Sequence, residues 1–430
     1  MNQKNLKKYI YILLGLLVTA FCIIGALGNG DFKVFLEAAK LVAAGENPYN
    51  KWLFVSEGVY CLYFYSPLWA VILSPFSFLP NFIPNFIWLA ANIFFLYRIL
   101  TLLKNYVDIN TISKKQLRWI ILLCSIMSLR FILYNFGMIQ MTLFLLWGGL
   151  ESIRLMSEKK VTLGAILLAL IINIKILPIV IIPYLLYRKH YRGLIYTLIF
   201  SFVFILLPSL YTGWTENLFL LTEWWGVINP GNTEHLIESE LGPHSLTALI
   251  PSLLTETSGE LSITRNFMNL SEAVVIQILN ITRLLLIVFS LYFLRWSPFV
   301  IAKSKLFQLR ELAYIFLLIP LIFPHQQKYA FALTIPALFY LCHFVVINFS
   351  LRKKVMKGTR WYLLIVLMSF SFMLMTLSSD GVIGRELSNI SQHFKTITWG
   401  TMLLIFALAL AQPQITKKTK QLQLAKPKQD

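Results

Sequence analysis

Asp31 is the first charged residue after an apolar run from Tyr9 to Leu27, and it opens the segment Gly30-Asp31-Phe32 that leads to Asn47-Pro48-Tyr49. A carboxylate placed where a first transmembrane helix leaves the bilayer can take the proton of a hydroxyl as that hydroxyl attacks, which is general-base chemistry. The same position also reads as a helix cap, worth about 1 kcal/mol. Residues 31–45 have helical spacing, with Asp31 at the N-cap or first turn and Gly45 at the end. Phe32, Phe35, Leu36, Ala39 and Val42 share one face, which is expected to rest on the bilayer.

Other polar residues interrupt apolar runs. Lys175 lies within residues 161–187, and an intramembrane lysine is expensive enough to be functional by default; the alternative is a snorkelling surface lysine. His325 opens an apolar run together with Gln326, Gln327 and Lys328, either as a site residue or as an interfacial anchor. His244 falls on a long loop, and Gln140 at a helix end, where it could hydrogen-bond a sugar hydroxyl. Arg130 and Arg283 read as structural pairing or headgroup contacts, the Asp380, Arg385 and Glu386 cluster as a solvated loop, and Trp224-Trp225 as a belt anchor.

The elements that must position these residues are membrane helices. The 430-residue chain is 57% hydrophobic and 13% charged, whereas soluble domains carry about 25% charged residues. Its apolar runs suit helices of about 20 residues that span the hydrocarbon core, and no alternating ten-residue pattern of a β-barrel occurs. The expected fold is therefore all-α, a polytopic transmembrane bundle of about 10–13 membrane segments, some re-entrant or half-length. One transmembrane domain is expected over 1–412, followed by a basic cytoplasmic tail over 413–430.

The net charge of +19 sits in short loops such as Lys114-Lys115, Lys159-Lys160 and Arg188-Lys189 rather than in a soluble basic domain, so no nucleic-acid partner is expected. The positive-inside rule places those loops in the cytoplasm and leaves residues 28–65 and 211–270 outside, with most acidic residues. Two segments break this alternation unless they fail to cross as single helices. Residues 161–187, interrupted by Asn173, Lys175 and Pro178, are expected as two short helices meeting at an external apex near Lys175. Residues 66–80, bounded by prolines, are expected to be re-entrant. The apolar piece 245–254 is expected at the membrane surface. The four cysteines show no disulfide or metal spacing, and the first helix reads as uncleaved.

The order Gly30-Asp31-Phe32, Gly45-Glu-Asn-Pro-Tyr49, Tyr65-Ser-Pro-Leu-Trp-Ala70 and Ser74 to Pro80 resembles the family 87 glycosyltransferases of the GT-C superfamily. Gln140-Met-Thr-Leu143, Asn173-Ile-Lys-Ile-Leu-Pro178 and Pro243-His-Ser-Leu246 continue the same order. Two departures bear on sugar preference: members often carry Asn-Gln-Ser-Leu at 243–246, and Ile322-Phe-Pro-His325 replaces a Ser-Pro-bearing segment. The resemblance implies a GT-C bundle in a bacterial inner membrane, with its active site on the external face. It implies inverting transfer of a hexose, mannose first, from a polyprenyl-phosphate donor to a lipid- or glycan-linked acceptor. Asp31 would be the base, Lys175, His325 and Lys328 would bind donor phosphate, and Tyr49, Tyr65, Gln140, His244 and Ser245 would contact substrate. No cofactor or metal is expected, since no Asp-x-Asp pair or His cluster occurs. A transporter or flippase of lipid-linked saccharides is the alternative, although no internal repeat is visible.

The topology has a direct check. Glu57→Cys, in a background lacking the native cysteines, should react with an impermeant maleimide on intact cells; labelling only after the cells are broken open overturns the orientation.

Overall fold

The structure is a computed structural model. It describes residues 3–28, 30–107, 112–229, 231–232, 236–257, 259–294, 304–350, 356 and 358–413. The expected tail 413–430 lies, after residue 413, outside the described residues, as do the loop cations Arg295, Lys303, Arg352, Lys353, Lys354 and Lys357.

Helix α1 (Gln3–Ala26) leads to α2 (Phe32–Ala43), and Gly45 follows with φ +74°, a left-handed conformation that favours glycine after a helix end. The face of α2 expected on the bilayer is instead buried in protein, with Phe32, Phe35 and Leu36 all at 2% exposure or less. Its rings meet other rings rather than lipid: Phe32 stacks on Trp88 at 5.5 Å, and Phe35 packs edge-on against Tyr65 at 4.5 Å. An amphipathic pattern specifies an apolar neighbour without saying whether that neighbour is lipid or protein. A short antiparallel hairpin follows, β1 (Leu53–Ser56) with β2 (Val59–Cys61), turning through Gly58 at φ +72°. It is the described exception to the all-α expectation.

Helix α3 (Pro67–Ser77) has 11 residues, about 16 Å of helix against a hydrocarbon core of ~30 Å. At its start Ser66 N–H donates to the Ile174 carbonyl; after it, α4 (Phe82–Asn105) begins where Asn85 Nδ2 donates to the Ala26 carbonyl at 3.2 Å. The start of α3 thus sits against the end of α7, and the helix that follows it begins against the end of α1.

The chain then passes through α5 (Lys114–Gly137), opened by a Ser113/Gln116 capping box, α6 (Thr142–Ser157) and α7 (Val161–Ile174). Lys175 is extended (φ −143°, ψ 123°), and a 3-10 turn (Leu177–Val180) leads into α8 (Ile181–Tyr187). Pro178 offers no N–H to continue a helix through this point. The 14 residues of α7 cover about 21 Å, short of a full crossing.

Helices α9 (Tyr191–Leu206), α10 (Ser209–Thr212), α11 (Trp214–Ile228) and α12 (Leu246–Leu254) come next. Residues 211–270 are therefore not one loop. In 245–254, expected at the membrane surface, Leu246, Ala248 and Leu249 are buried, because α12 packs against α13 (Glu272–Phe293) and α14 (Lys305–Ile322). A 3-10 turn (Lys328–Thr334) continues as α15 (Ile335–Asn348), followed by α16 (Gly358–Phe372) with a π turn (Met373–Leu377), α17 (Asp380–Ile383), α18 (Arg385–His393) and α19 (Thr396–Leu410). Helices α18 and α19 meet at 64°.

Among the described residues six helices are long and apolar enough to cross a membrane, or seven if the bent pair is one span, and four shorter apolar helices accompany them. The chain is a multi-pass, helical membrane protein.

On the side opposite Asp31 the bundle is fastened by ion pairs. Arg188 pairs with Glu311, both about 5% exposed, and Tyr184 Oη donates to the same carboxylate at 3.2 Å. Removing one member of such a pair strands the other, at a cost of about 3–5 kcal/mol. Glu311→Gln is expected to lower the thermal midpoint in detergent clearly below wild type; an unchanged midpoint would show that α8 and α14 hold without the pair.

Candidate active site

The backbone of Asp31 is helical (φ −61°, ψ −15°) and its carboxylate accepts no capping bond from α2, so the cap reading fails. The carboxylate faces inward and accepts from Gln140 Nε2 at 2.5 Å. Two backbone features set this meeting. Asp31 N–H donates to the Met138 carbonyl at 2.9 Å, and a Cβ on Gly30 would stand 2.7 Å from that same oxygen, so only glycine fits. Between Met138 and Gln140, Ile139 has φ +51°. A β-branched residue there is a true outlier, at a cost on the order of 1–3 kcal/mol. Gln140 is pinned by N–H donation to the Asn135 carbonyl, while its own carbonyl accepts from Trp88 Nε1 at 3.2 Å.

Lys175 enters from the break after α7. Its Nζ donates to Tyr65 Oη at 3.1 Å and lies 4.8 Å from the Tyr65 ring and 5.8 Å from the Tyr329 ring. Such ring faces attract a cation where water is scarce. Burial raises the pKa of Asp31; the Gln140 bond and the Lys175 charge pull it back, and the net direction is upward. Burial and the Asp31 charge raise that of Tyr65, which keeps its hydroxyl proton. A carboxyl with a raised pKa, an ammonium and a tyrosine hydroxyl thus converge on one place.

Tyr49 does not join them directly. It is buried and donates through Oη to the Tyr65 carbonyl at 2.9 Å, so it supports Tyr65 from behind. Lys328 lies 4.7 Å from the Tyr134 ring, and Tyr134 stacks on Tyr329 at 6.3 Å, which links Lys328 to the Lys175 side through two rings. Arg130 donates to the Met375 carbonyl and to Ser378 Oγ, the structural pairing expected of it. Trp224 donates to the Phe64 carbonyl, whereas Trp225 is exposed, as are Asp380, Arg385 and Glu386.

His325 has φ +56° and stacks on Phe64 at 4.6 Å. Its Nδ1 lies 2.9 Å from Glu238 Oε1, and its backbone N–H donates to the same oxygen at 2.9 Å. Sequence reasoning missed Glu238. Its partner is 87 residues away in the chain, and nothing in its neighbours sets it apart from other loop acids.

His244 and Ser245 stand behind the wall they were expected to form. Both have 0% exposure. His244 N–H donates to the Gln326 carbonyl at 2.8 Å, and burial together with the nearby Lys395 holds its imidazole well below the usual pKa, hence neutral. Ser245 Oγ donates to Glu238 at 3.0 Å. Both pack behind the His325 turn. The loop they sit on is tied down by Lys395, a fully buried lysine with φ +54° whose Nζ donates to the carbonyls of Glu240 and Pro243. Among the described residues no group of three or more His, Cys, Asp or Glu is placed to hold a metal.

A family model for glycosyltransferase family 87 matches residues 63–298, which include Tyr65, Gln140, Lys175, Glu238, His244 and Ser245. No match is found among the curated proteins or the solved structures. The match spans more than half of the chain and covers the residues that surround Asp31: this membrane protein belongs to glycosyltransferase family 87 and is a glycosyltransferase.

Proposed function

We propose that this chain transfers a hexose, mannose first, from a polyprenyl-phosphate donor to a lipid- or glycan-linked acceptor, with inversion at the sugar carbon. The reaction is read as taking place on the external face of a bacterial inner membrane, in a bundle of GT-C type. The observation that carries the reading is the Asp31 carboxylate, inward-facing and uncapped, hydrogen-bonded by Gln140 and within electrostatic range of Lys175.

In this reading the acceptor hydroxyl approaches Asp31 and its oxygen forms the new bond to C1 of the sugar. The bond from C1 to the phosphate oxygen breaks, its electron pair leaves with the polyprenyl phosphate, and the hydroxyl proton passes to Asp31. The transition state has oxocarbenium character, as in glycoside hydrolysis. Charge that builds on the leaving phosphate is offset by fixed cationic groups, for which Lys175 is the first candidate and His325 and Lys328 the next. Tyr65 and Gln140 are the candidate sugar contacts. Gln140 orients the carboxylate, and Tyr65 orients the ammonium.

The decisive experiment is incubation of purified protein with labelled polyprenyl-phosphate mannose, glucose and arabinose and a glycolipid acceptor. Mannose transfer is expected to dominate; transfer of none of the three rejects this donor class.

Asp31→Asn should fold as wild type, since the carboxylate caps nothing, and should lose about 10²–10⁴-fold in rate. Wild-type transfer should fall as pH drops through a pKa above the ordinary aspartate range, because protonation removes the base. Retained activity within a few-fold of wild type rejects Asp31 as base. Lys175→Ala should cost roughly tenfold or more in donor kcat/KM, the scale of a lost charge-assisted hydrogen bond. Lys175→Arg keeps the charge in a different shape and should cost less. Intact donor kinetics in the alanine variant would move the phosphate site away from Lys175, toward His325 and Lys328.

A further inference from the structure

Glu238 takes no part in the reaction as drawn, yet its carboxylate is 4% exposed and engaged on both oxygens. Oε1 accepts the His325 backbone N–H and faces the His325 ring at Nδ1, each at 2.9 Å. Oε2 accepts from Ser245 Oγ at 3.0 Å and Thr247 Oγ1 at 2.5 Å. The backbone closes the arrangement, with Glu238 N–H donating to the Thr247 carbonyl at 3.1 Å. Burial by itself would raise the pKa of Glu238, but the bonds from His325, Thr247 and Ser245 outweigh it and hold the group below its usual range. Arg283 of α13 adds a positive charge within electrostatic range.

An ionised acceptor at Nδ1 decides which ring nitrogen carries the inward proton and where the other one points. Phe64 fixes the ring plane from one side, and Phe64 immediately precedes Tyr65, the residue that holds Lys175. His325 therefore stands beside the segment that lines the Asp31 site, in an orientation the side chain does not choose alone. Its left-handed backbone (φ +56°) turns the N–H toward the same carboxylate, so ring and main chain are fixed together.

We propose that Glu238 is a positioning residue for sugar transfer: it fixes the orientation of His325 so that Nε2 meets the leaving phosphate of the lipid donor. The inference rests on the reading of His325 as a phosphate-binding residue. In that orientation Nδ1 faces the Glu238 carboxylate and Nε2 is turned toward a phosphate oxygen of the donor. No proton changes hands at His325; the electron pair of the breaking bond stays on the phosphate oxygen that Nε2 faces.

The test is a double-mutant cycle read in donor kinetics. Wild type, Glu238→Gln, His325→Asn and the double variant are assayed with polyprenyl-phosphate mannose, and thermal midpoints in detergent are recorded for each. Glu238→Gln is expected to lower donor kcat/KM by roughly 10- to 100-fold, the size of a lost charge-assisted hydrogen bond, with acceptor KM unchanged. In the His325→Asn background the same substitution should cost less than about twofold, because residues that act as a unit are non-additive. An equal cost in both backgrounds overturns the proposal and assigns Glu238 to packing or to Arg283. If the glutamine variant does not fold, Glu238→Asp, which keeps the charge but draws it back from the ring, is read in the same cycle and with the same expected coupling. Asp31→Asn and His325→Asn alone report on the underlying reading. If either leaves transfer intact, that reading fails; if both are costly and the cycle is additive, only the Glu238 assignment fails.

Discussion

An ionised carboxylate in a nearly water-free pocket is costly unless fixed dipoles and charges replace the water it has lost. Asp31 meets that requirement with one amide and one ammonium. Both arrive from points where a helix is interrupted: Gln140 from the strained turn after α5, and Lys175 from the extended residue after α7. Helix interiors direct their backbone polar groups along the axis and keep neighbouring side chains on the cylinder surface. Interruptions let the chain aim a donor inward at a chosen depth, which is why irregular backbone at membrane depth is found where it lines a cavity. The short α3 fits the same logic, since its start brings Ser66, and with it Tyr65, against the end of α7.

Aromatic rings make the second contribution. Tyr65 and Tyr329 face Lys175, Tyr134 faces Lys328, and Phe64 backs His325. His325 also faces the Glu238 carboxylate, whereas Lys175 and Lys328 rest on ring faces and make no ion pair among the described residues. A ring attracts a cation without neutralising it, so the positive field remains available to an incoming phosphate. An acidic partner at those positions would compete with the phosphate for the same charge.

Much of this arrangement was legible in the chain. Asp31 stood out as the first charge beyond an apolar run, and Lys175 because Asn173 and Pro178 flank it in a segment too long for one half-helix and too interrupted for one span. The short helix within 66–80 followed from Pro67, Pro75 and Pro80. The partners of those residues were less legible. The apolar faces of α2 and α12 carried a period, and a period does not distinguish lipid from protein as the covering phase. The hairpin at 53–61 is too short for alternation to register. His244 and Ser245 lie on a segment that reads as loop, and loops are ordinarily exposed; here the loop is buried because Glu238 and Lys395 supply partners for its polar atoms. Long-range polar pairing leaves no local mark, so Glu238 was invisible until its distance to His325 was known.

The 0% exposure of Lys395 has a consequence for how the molecule is made. Its ammonium is satisfied by the carbonyls of Glu240 and Pro243, which leave the ribosome some 150 residues earlier. Chains are synthesised from the N-terminus, and early segments organise first. The stretch that carries Glu238 must therefore wait, with its polar groups partly unmet, while the chain up to Lys395 is made. Only when Lys395 arrives can the wall behind His325 set.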